Sequence, residues 1–520
     1  MIVSRFILSI TCVCSVTFGL VPRPNQHIRN DEWHSLVSAL KFQHPYQECF
    51  VLLDAQHRLT DRLRLRQLPI RRQLTVCSKA AIQTVSIALL TMCNETAEVQ
   101  WPTEAMHEQY TLIVSQKRID IQAFQVWGAL HALETVAQLV RRTEDNQLII
   151  EVQTIYDAPR FTHRGFLIDT ARHYLSLESI RNFLDAMAMV KMNVLHWHIV
   201  DDESFPFQSI TWSNLSRCGA YDSNINVYSH AMIREVLHYA RQRGIRVMPE
   251  FDTPGHSQSW GNGYPELLTT CYSDNQTNGN LGPINPTTEY TYAFLLKLFL
   301  ELRNLFPDNL LHLGGDEVDH HCWASNPEVK RFMEEHKFGE NYSVLQTYYF
   351  EQIIDMLKMS EFVHHSFTPV AWQEVFDRGF RGEKQTVFQV WLPGNWKPKV
   401  KEITRAGYRV LLSSCWYLDI ISYGIDWHPY YTCDPGDFNG TSEEQARVLG
   451  GEAALWGEFV DDTNLFSRAW PRGIPAAERL WSKGDVSIPE FSRRLDEIRC
   501  QMVNRGWNAE PANGPGFCPV

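Results

Sequence analysis

The stretch Val194-Leu-His-Trp-His-Ile-Val200, closed by Asp201-Asp202, decides the fold. Apart from two histidines it is an unbroken apolar run ending in two carboxylates. A strand buried on both faces reads this way, as parallel sheets require. The same rhythm recurs in Gly165-Phe-Leu-Ile168, Ile245-Arg-Val-Met248, Leu310-Leu-His-Leu313, Pro369-Val-Ala371, Thr386-Val-Phe-Gln-Val390, Tyr408-Arg-Val-Leu-Leu412 and Gly451-Glu-Ala-Ala-Leu455. Helical segments such as Ser179–Val190 and Ala231–Arg243 lie between the runs. Eight alternating units predict an α/β fold, a (β/α)₈ barrel with a C-terminal extension over residues 159–520.

Such a barrel places its site at the carboxyl ends of the strands. After the runs come Asp169 to Arg172, Asp201-Asp202, Glu250 to His256, Asp316-Glu317, Trp372, Trp391, Trp416-Tyr417-Leu-Asp419 and Trp456-Gly-Glu458. Loops are polar in any protein, which accounts for the charges. It does not account for four separate tryptophans, whose faces suit a carbohydrate-shaped pocket.

The rest of the chain adds a second domain and a compartment. Its 520 residues exceed one ordinary core, and 48 basic against 60 acidic residues argue against a nucleic-acid partner. Residues 20–158 read as a small α/β domain of strands backed by helices. Tyr110-Thr-Leu-Ile-Val114 and Ile119-Asp-Ile-Gln-Ala123 alternate as half-buried strands, and Trp127 to Val140 repeats apolar residues at helical spacing. Residues 1–19 read as a secretory signal peptide, with Arg5 before an apolar run too short to span a bilayer; no later stretch reads as a membrane span. Twelve cysteines and sequons at Asn94, Asn214, Asn275, Asn341 and Asn439 agree with a secreted or lysosomal glycoprotein.

The sharpest chemical signal is His312-Leu-Gly-Gly-Asp316-Glu317. Two glycines permit a tight turn at a strand end, and two adjacent carboxyls do not ionise together easily, so one keeps a proton for a leaving oxygen. His196-Trp-His198 has the spacing of a metal-dependent amidohydrolase, but it falls on the second run and no lysine follows the fourth. Asp319-His320-His321 sits on a loop past the fourth run, where capping suffices as a role. No metal or cofactor is expected. A sugar-binding protein without catalysis would have lost Asp316 or Glu317, and both are present.

These segments resemble the β-N-acetylhexosaminidases of glycoside hydrolase family 20. The resemblance rests on Arg164-Gly-Phe-Leu-Ile-Asp-Thr-Ala-Arg172, Asn193 to Asp202, Glu250-Phe-Asp-Thr-Pro-Gly-His256, His312 to Glu317, Trp372-Gln-Glu and Trp456-Gly-Glu458, in family order across the chain. It is greatest to animal lysosomal hexosaminidase subunits, the β-type more than the α-type. It implies removal of terminal β-linked N-acetylglucosamine and N-acetylgalactosamine from a glycan or glycolipid, with retention and with the substrate's acetamido group as nucleophile. In that scheme Glu317 is the acid and base, Asp316 holds the acetamido N–H, and Tyr417 donates to its oxygen. Arg172, Asp419 and Glu458 take hydroxyls, while Trp372, Trp391 and Trp456 wall the pocket. Asp201 and His256 form a supporting pair. The resemblance further implies a homodimer and the bridges Cys49–Cys93, Cys271–Cys322 and Cys500–Cys518. Cys77, Cys218, Cys415 and Cys433 stand outside that set, and their pairing stays open.

Overall fold

The computed structural model describes residues 19–65, 68–69, 81–96, 99–358 and 367–519. The signal-like segment up to residue 18 and Cys77 lie outside the described residues. The first sheet has six strands: β1 (Gln26–Gln43), β2 (Ile82–Leu89), β3 (Tyr110–Val114), β4 (Ile119–Ala123), β5 (Arg141–Arg142) and β6 (Leu148–Asp157). They run in the order β1-β2-β4-β3-β6-β5, with β1 also pairing β6. Two helices back them, α1 (Phe50–Arg64) and α2 (Val126–Leu139). In β3 and β4 every second residue is buried, as a sheet with one covered face demands.

The barrel is closed and parallel. Its strands are β7 (His163–Asp169), β8 (Val194–Val200), β9 (Arg246–Phe251), then, after the hairpin β10 (Leu268–Ser273) and β11 (Gln276–Ile284), β12 (Leu310–His312), β13 (Thr368–Trp372), β14 (Val387–Val390), β15 (Arg409–Leu412) and β16 (Val448–Leu455). All seven residues of β8 are buried, which is why its sequence is apolar without alternation. The hairpin is tied to the helix after β12 by Cys271–Cys322. Cys49–Cys93, Cys415–Cys433 and Cys500–Cys518 are also bonded, and Cys218 is free and exposed. No helix among the described residues is long and apolar enough to cross a membrane.

Buried charge joins the two units. Arg164, completely buried on β7, pairs with Glu108, which also receives His131 Nε2 at 2.9 Å and Asn193 Nδ2 at 3.2 Å. Lys191 Nζ reaches Asp157 at 2.8 Å and the Tyr110 hydroxyl at 2.9 Å. Trp481, from the barrel helix Ile474–Trp481, donates to Asp157 at 2.9 Å and packs into the core of the first domain. Removing one partner of such a pair strands the other charge in the interior. Glu108→Ala should therefore destabilise the protein by about 3–5 kcal/mol, and Glu108→Ala/Arg164→Met by clearly less. Chemical denaturation of both variants measures the difference.

Candidate active site

At the carboxyl end of the barrel lies a cavity of about 300 Å³. Arg172, Asp201, His256, Asp316, Glu317, Trp391, Tyr417, Asp419, Trp456 and Glu458 line it together with His198, Asp252, Pro393, Ser414 and Ile420. Trp372 does not line it. It is fully buried behind the wall, in contact with Trp391 and Trp456, and its indole N–H donates to Glu250 at 2.8 Å.

The two glycines of the His312 to Glu317 segment are required by space. Gly314 and Gly315 have φ of +70° and +101°, and a Cβ on Gly314 would collide with the Asp252 carboxylate. The turn leaves Asp316 buried and the Glu317 side chain 62% exposed at the mouth. Glu317 itself has φ +48° and His256 φ +49°, conformations non-glycine residues rarely adopt outside functional sites. His256 Nε2 is 3.7 Å from both Asp316 Oδ2 and Glu317 Oε2.

The electrostatics divide the carboxyls into roles. Asp252 is buried, and burial together with the neighbouring Asp316 and Glu250 charges holds its pKa well above the usual carboxylate range. Asp252 therefore keeps a proton. Burial opposes a proton on His256, but Asp316 and Asp201 outweigh it and push its pKa up to about 10. The Arg172 guanidinium meets Asp169 at 3.0 Å, Asp201 at 2.9 Å and Glu203 at 3.1 Å, one contact for each nitrogen, and lies 5.3 Å from the Trp456 ring centre. Trp391 stacks on Tyr417 and donates to Glu374 at 2.8 Å. Asp419 Oδ1 is buried with no hydrogen-bond partner, and burial beside Glu458 lifts its pKa to about 6.

A pocket at the strand ends with one carboxyl at its mouth and a second buried beside it has the outline of a glycosidase site. Residues 161–484 match the model for the glycosyl hydrolase family 20 catalytic domain, and residues 20–139 match the beta-acetyl hexosaminidase-like model. The chain belongs to glycosyl hydrolase family 20. It is 46% identical to the beta-hexosaminidase subunit beta of Homo sapiens, over 84% of this chain and 76% of that one. It is 45% identical to the subunit alpha of Bos taurus, over 81% and 79%. The structure of a Flavobacterium johnsoniae chitobiase superimposes with a TM-score of 0.80 at 30% identity, covering 94% of this chain and 73% of that one. This family member is therefore a glycosidase of the β-hexosaminidase kind.

Four groups of side chains among the described residues come close enough to hold a cation: Cys49/Cys93/Glu95, whose sulfurs are joined in a disulfide, His196/Glu250/His312, Asp201/Asp202/His256 and Asp252/His256/Asp316. Contacts inside the protein already engage the second and third: His196 and His312 stand 2.9 and 3.0 Å from Glu250, and His256 Nδ1 is 3.1 Å from Asp201. Asp319 caps the short helix His320–Ser325, accepting from His321 N at 2.9 Å. Sequence reasoning did not single out Asp252 as a site residue and treated His198 only as a metal candidate or a barrel support. The signal for Asp252 was present, because it lies in the Glu250 to His256 segment at a strand end.

Proposed function

We propose that this glycosidase removes terminal, non-reducing β-linked N-acetylglucosamine and N-acetylgalactosamine with retention, through an oxazolinium intermediate. The observation that carries the reading is the Asp316–Glu317 step at the end of β12, one carboxyl inside the pocket and the next at its mouth. Glu317 protonates the departing glycosidic oxygen and then activates water from the same position. Asp316 accepts the acetamido N–H and offsets the positive charge growing on the ring closing behind it. The Tyr417 hydroxyl donates to the acetamido oxygen, with Trp391 stacked on its ring and Trp372 closing the wall from behind. Arg172, Asp419 and Glu458 bind the sugar hydroxyls.

The same reading covers the context of the site. Residues 1–19 act as a signal peptide and residues 20–158 and 159–520 as the two domains. The product is a secreted or lysosomal glycoprotein modified at its sequons, of which Asn275, Asn341 and Asn439 are exposed. A homodimer is supported by exposed apolar side chains on the loops of the pocket face: Leu392, Ile420, Ile421, Tyr423 and Phe459.

Hydrolysis of aryl β-GlcNAc and β-GalNAc tests the reaction. A thiazoline mimic of the cyclised intermediate should inhibit competitively and far more tightly than the product sugar, and a chelator should leave the rate unchanged. A glycosyl-enzyme trapped on a carboxylate would overturn the mechanism.

The two carboxyls separate by leaving group. Glu317→Gln should slow poor leaving groups most, because an activated phenol hardly needs a proton. Asp316→Asn should slow activated and natural substrates alike. The dependence of kcat/KM on leaving-group acidity in each variant checks the assignment.

Asp419 supports β-type selectivity for uncharged sugars. Arg472, the nearest cation, is committed to Asp426 at 2.6 Å and to three oxygens of residues 418, 420 and 430. Two anions about 4 Å apart at an effective dielectric of ~20 repel by ~4 kcal/mol, so a 6-sulfated sugar should be a poor substrate at neutral pH. Asp419 takes up a proton as the pH falls through about 6, so the sulfated-to-neutral ratio of kcat/KM should rise from pH 7.5 to pH 4.5. Asp419→Asn/Ile420→Arg should raise that ratio at pH 7.5. A ratio unchanged by both pH and substitution would remove Asp419 from the specificity pocket.

A further inference from the structure

At the pocket floor, the two nitrogens of one buried imidazole join two carboxylates. His198 Nδ1 is 2.7 Å from Glu250 Oε2, and its Nε2 is 2.7 Å from Asp201 Oδ2. Asp201 in turn accepts from His256 Nδ1 at 3.1 Å through its other oxygen. His256 then faces Asp316 and Glu317. His198, Asp201 and Glu250 are each at most 1% exposed. Two carboxylates can share one imidazole in this way only if both nitrogens carry protons.

We propose that His198, fixed by Glu250, is a positioning residue that acts on the reaction through Asp201 and makes the site tolerant of acid. The proposal rests on the reading of Asp316 and Glu317 given above, and adds a group that acts on them through Asp201. Burial disfavours charge on His198, yet the Glu250 charge and the hydrogen bonds to Asp201 and Glu250 outweigh it and hold its pKa well above the usual histidine value. Burial likewise disfavours the Asp201 anion, and the hydrogen bonds from His198 and His256 reverse that, placing its pKa well below the usual carboxylate range.

The other groups around Asp201 are all accounted for. Arg172, from the loop after β7, donates to Asp201 at 2.9 Å but is shared with Asp169 and Glu203. The backbone N–H of Asp202 donates at 2.6 Å, and Asp252 from the β9 loop is protonated. From the β16 side, Trp456 presents its ring to His198, edge-on at 4.8 Å. His198 is thus the cation that faces Asp201 from beneath, where no solvent can replace it.

The sign follows. A carboxyl with a depressed pKa keeps its charge, and what that charge organises, until the pH falls through the depressed value. Without the imidazolium, Asp201 would protonate at a higher pH, and His256 and Arg172 would lose their common acceptor earlier in the descent.

The test is the pH profile of kcat/KM for aryl β-GlcNAc in wild type, His198→Gln and His198→Asn. Gln keeps a donor toward Asp201 without charge, and Asn keeps one toward Glu250. In both, the acidic limb should move up by about one pH unit, the usual scale of a neighbouring charge, while activity near neutrality falls much less. A purely structural role, such as packing against Trp456, would scale the whole profile and leave the limb in place, and that result overturns the proposal. Loss of wild-type hydrolysis altogether would instead contradict the assigned reaction. Should neither variant melt cooperatively, ¹⁵N-histidine spectra of the wild type decide. Imidazolium signals from His196, His198 and His256 should persist at pH 8, and a neutral His198 there overturns the proposal.

Discussion

A carboxylate with no access to water survives as an anion only when its lone pairs are met by donors, and Glu250 is the group on which that condition presses hardest. It is completely buried in the barrel axis, and His196, His198, His312 and Trp372 all lie within 3.0 Å of its two oxygens. His198 on β8 and Trp372 on β13 hydrogen-bond to it while His196 and His312 stand alongside, so one side chain of β9 ties together neighbouring strands of the closed sheet. Glu452 on β16 repeats the arrangement with His163 at 2.6 Å and His196 at 2.7 Å. Both acids are held below the ordinary carboxylate range because the imidazoles outweigh their burial. The barrel interior is therefore a charged lattice near its catalytic end, and its geometry fixes where Trp372 and Asp201 can stand.

The same rule shapes the pocket above. Burying Asp252 beside the Asp316 and Glu250 charges disfavours its own charge, so this deep acid holds a proton. Asp252 also fixes the turn that presents Asp316 and Glu317, since its Oδ1 accepts from Gly315 N at 2.9 Å. Shape and protonation are set by a single side chain.

Much of this was legible in the sequence, for a definable reason. Strands buried on both faces announce themselves as apolar runs, so all eight barrel strands could be read directly, from β7 through β16. The position of the acids followed, because parallel barrels gather strand ends on one face. The first domain was less legible. β1 runs for eighteen residues with a mixed burial pattern and a register shift between Arg29 and Trp33, so no clean period of two appears. The helix α1 went unread although Val51, Leu52, Ala55, Leu59 and Leu63 form its buried face, because charged residues fill the intervening positions. Trp372 could be assigned to the site from its place at the end of β13, but its withdrawal behind Trp391 is a matter of depth. His198 was read through the spacing of its motif, whereas its partners come from β9 and the loop after β8. Contacts between strands carry no signature in any one of them.

The pocket ends on this lattice, with Glu317 exposed at its rim and fully buried side chains beneath. In the proposed reaction a chain end enters there, and the leaving portion of the substrate lies toward Glu317 and departs before the freed sugar follows. Each cut then requires the shortened glycan to let go and bind afresh, so that trimming of a long chain would proceed distributively, with partly shortened intermediates accumulating in solution.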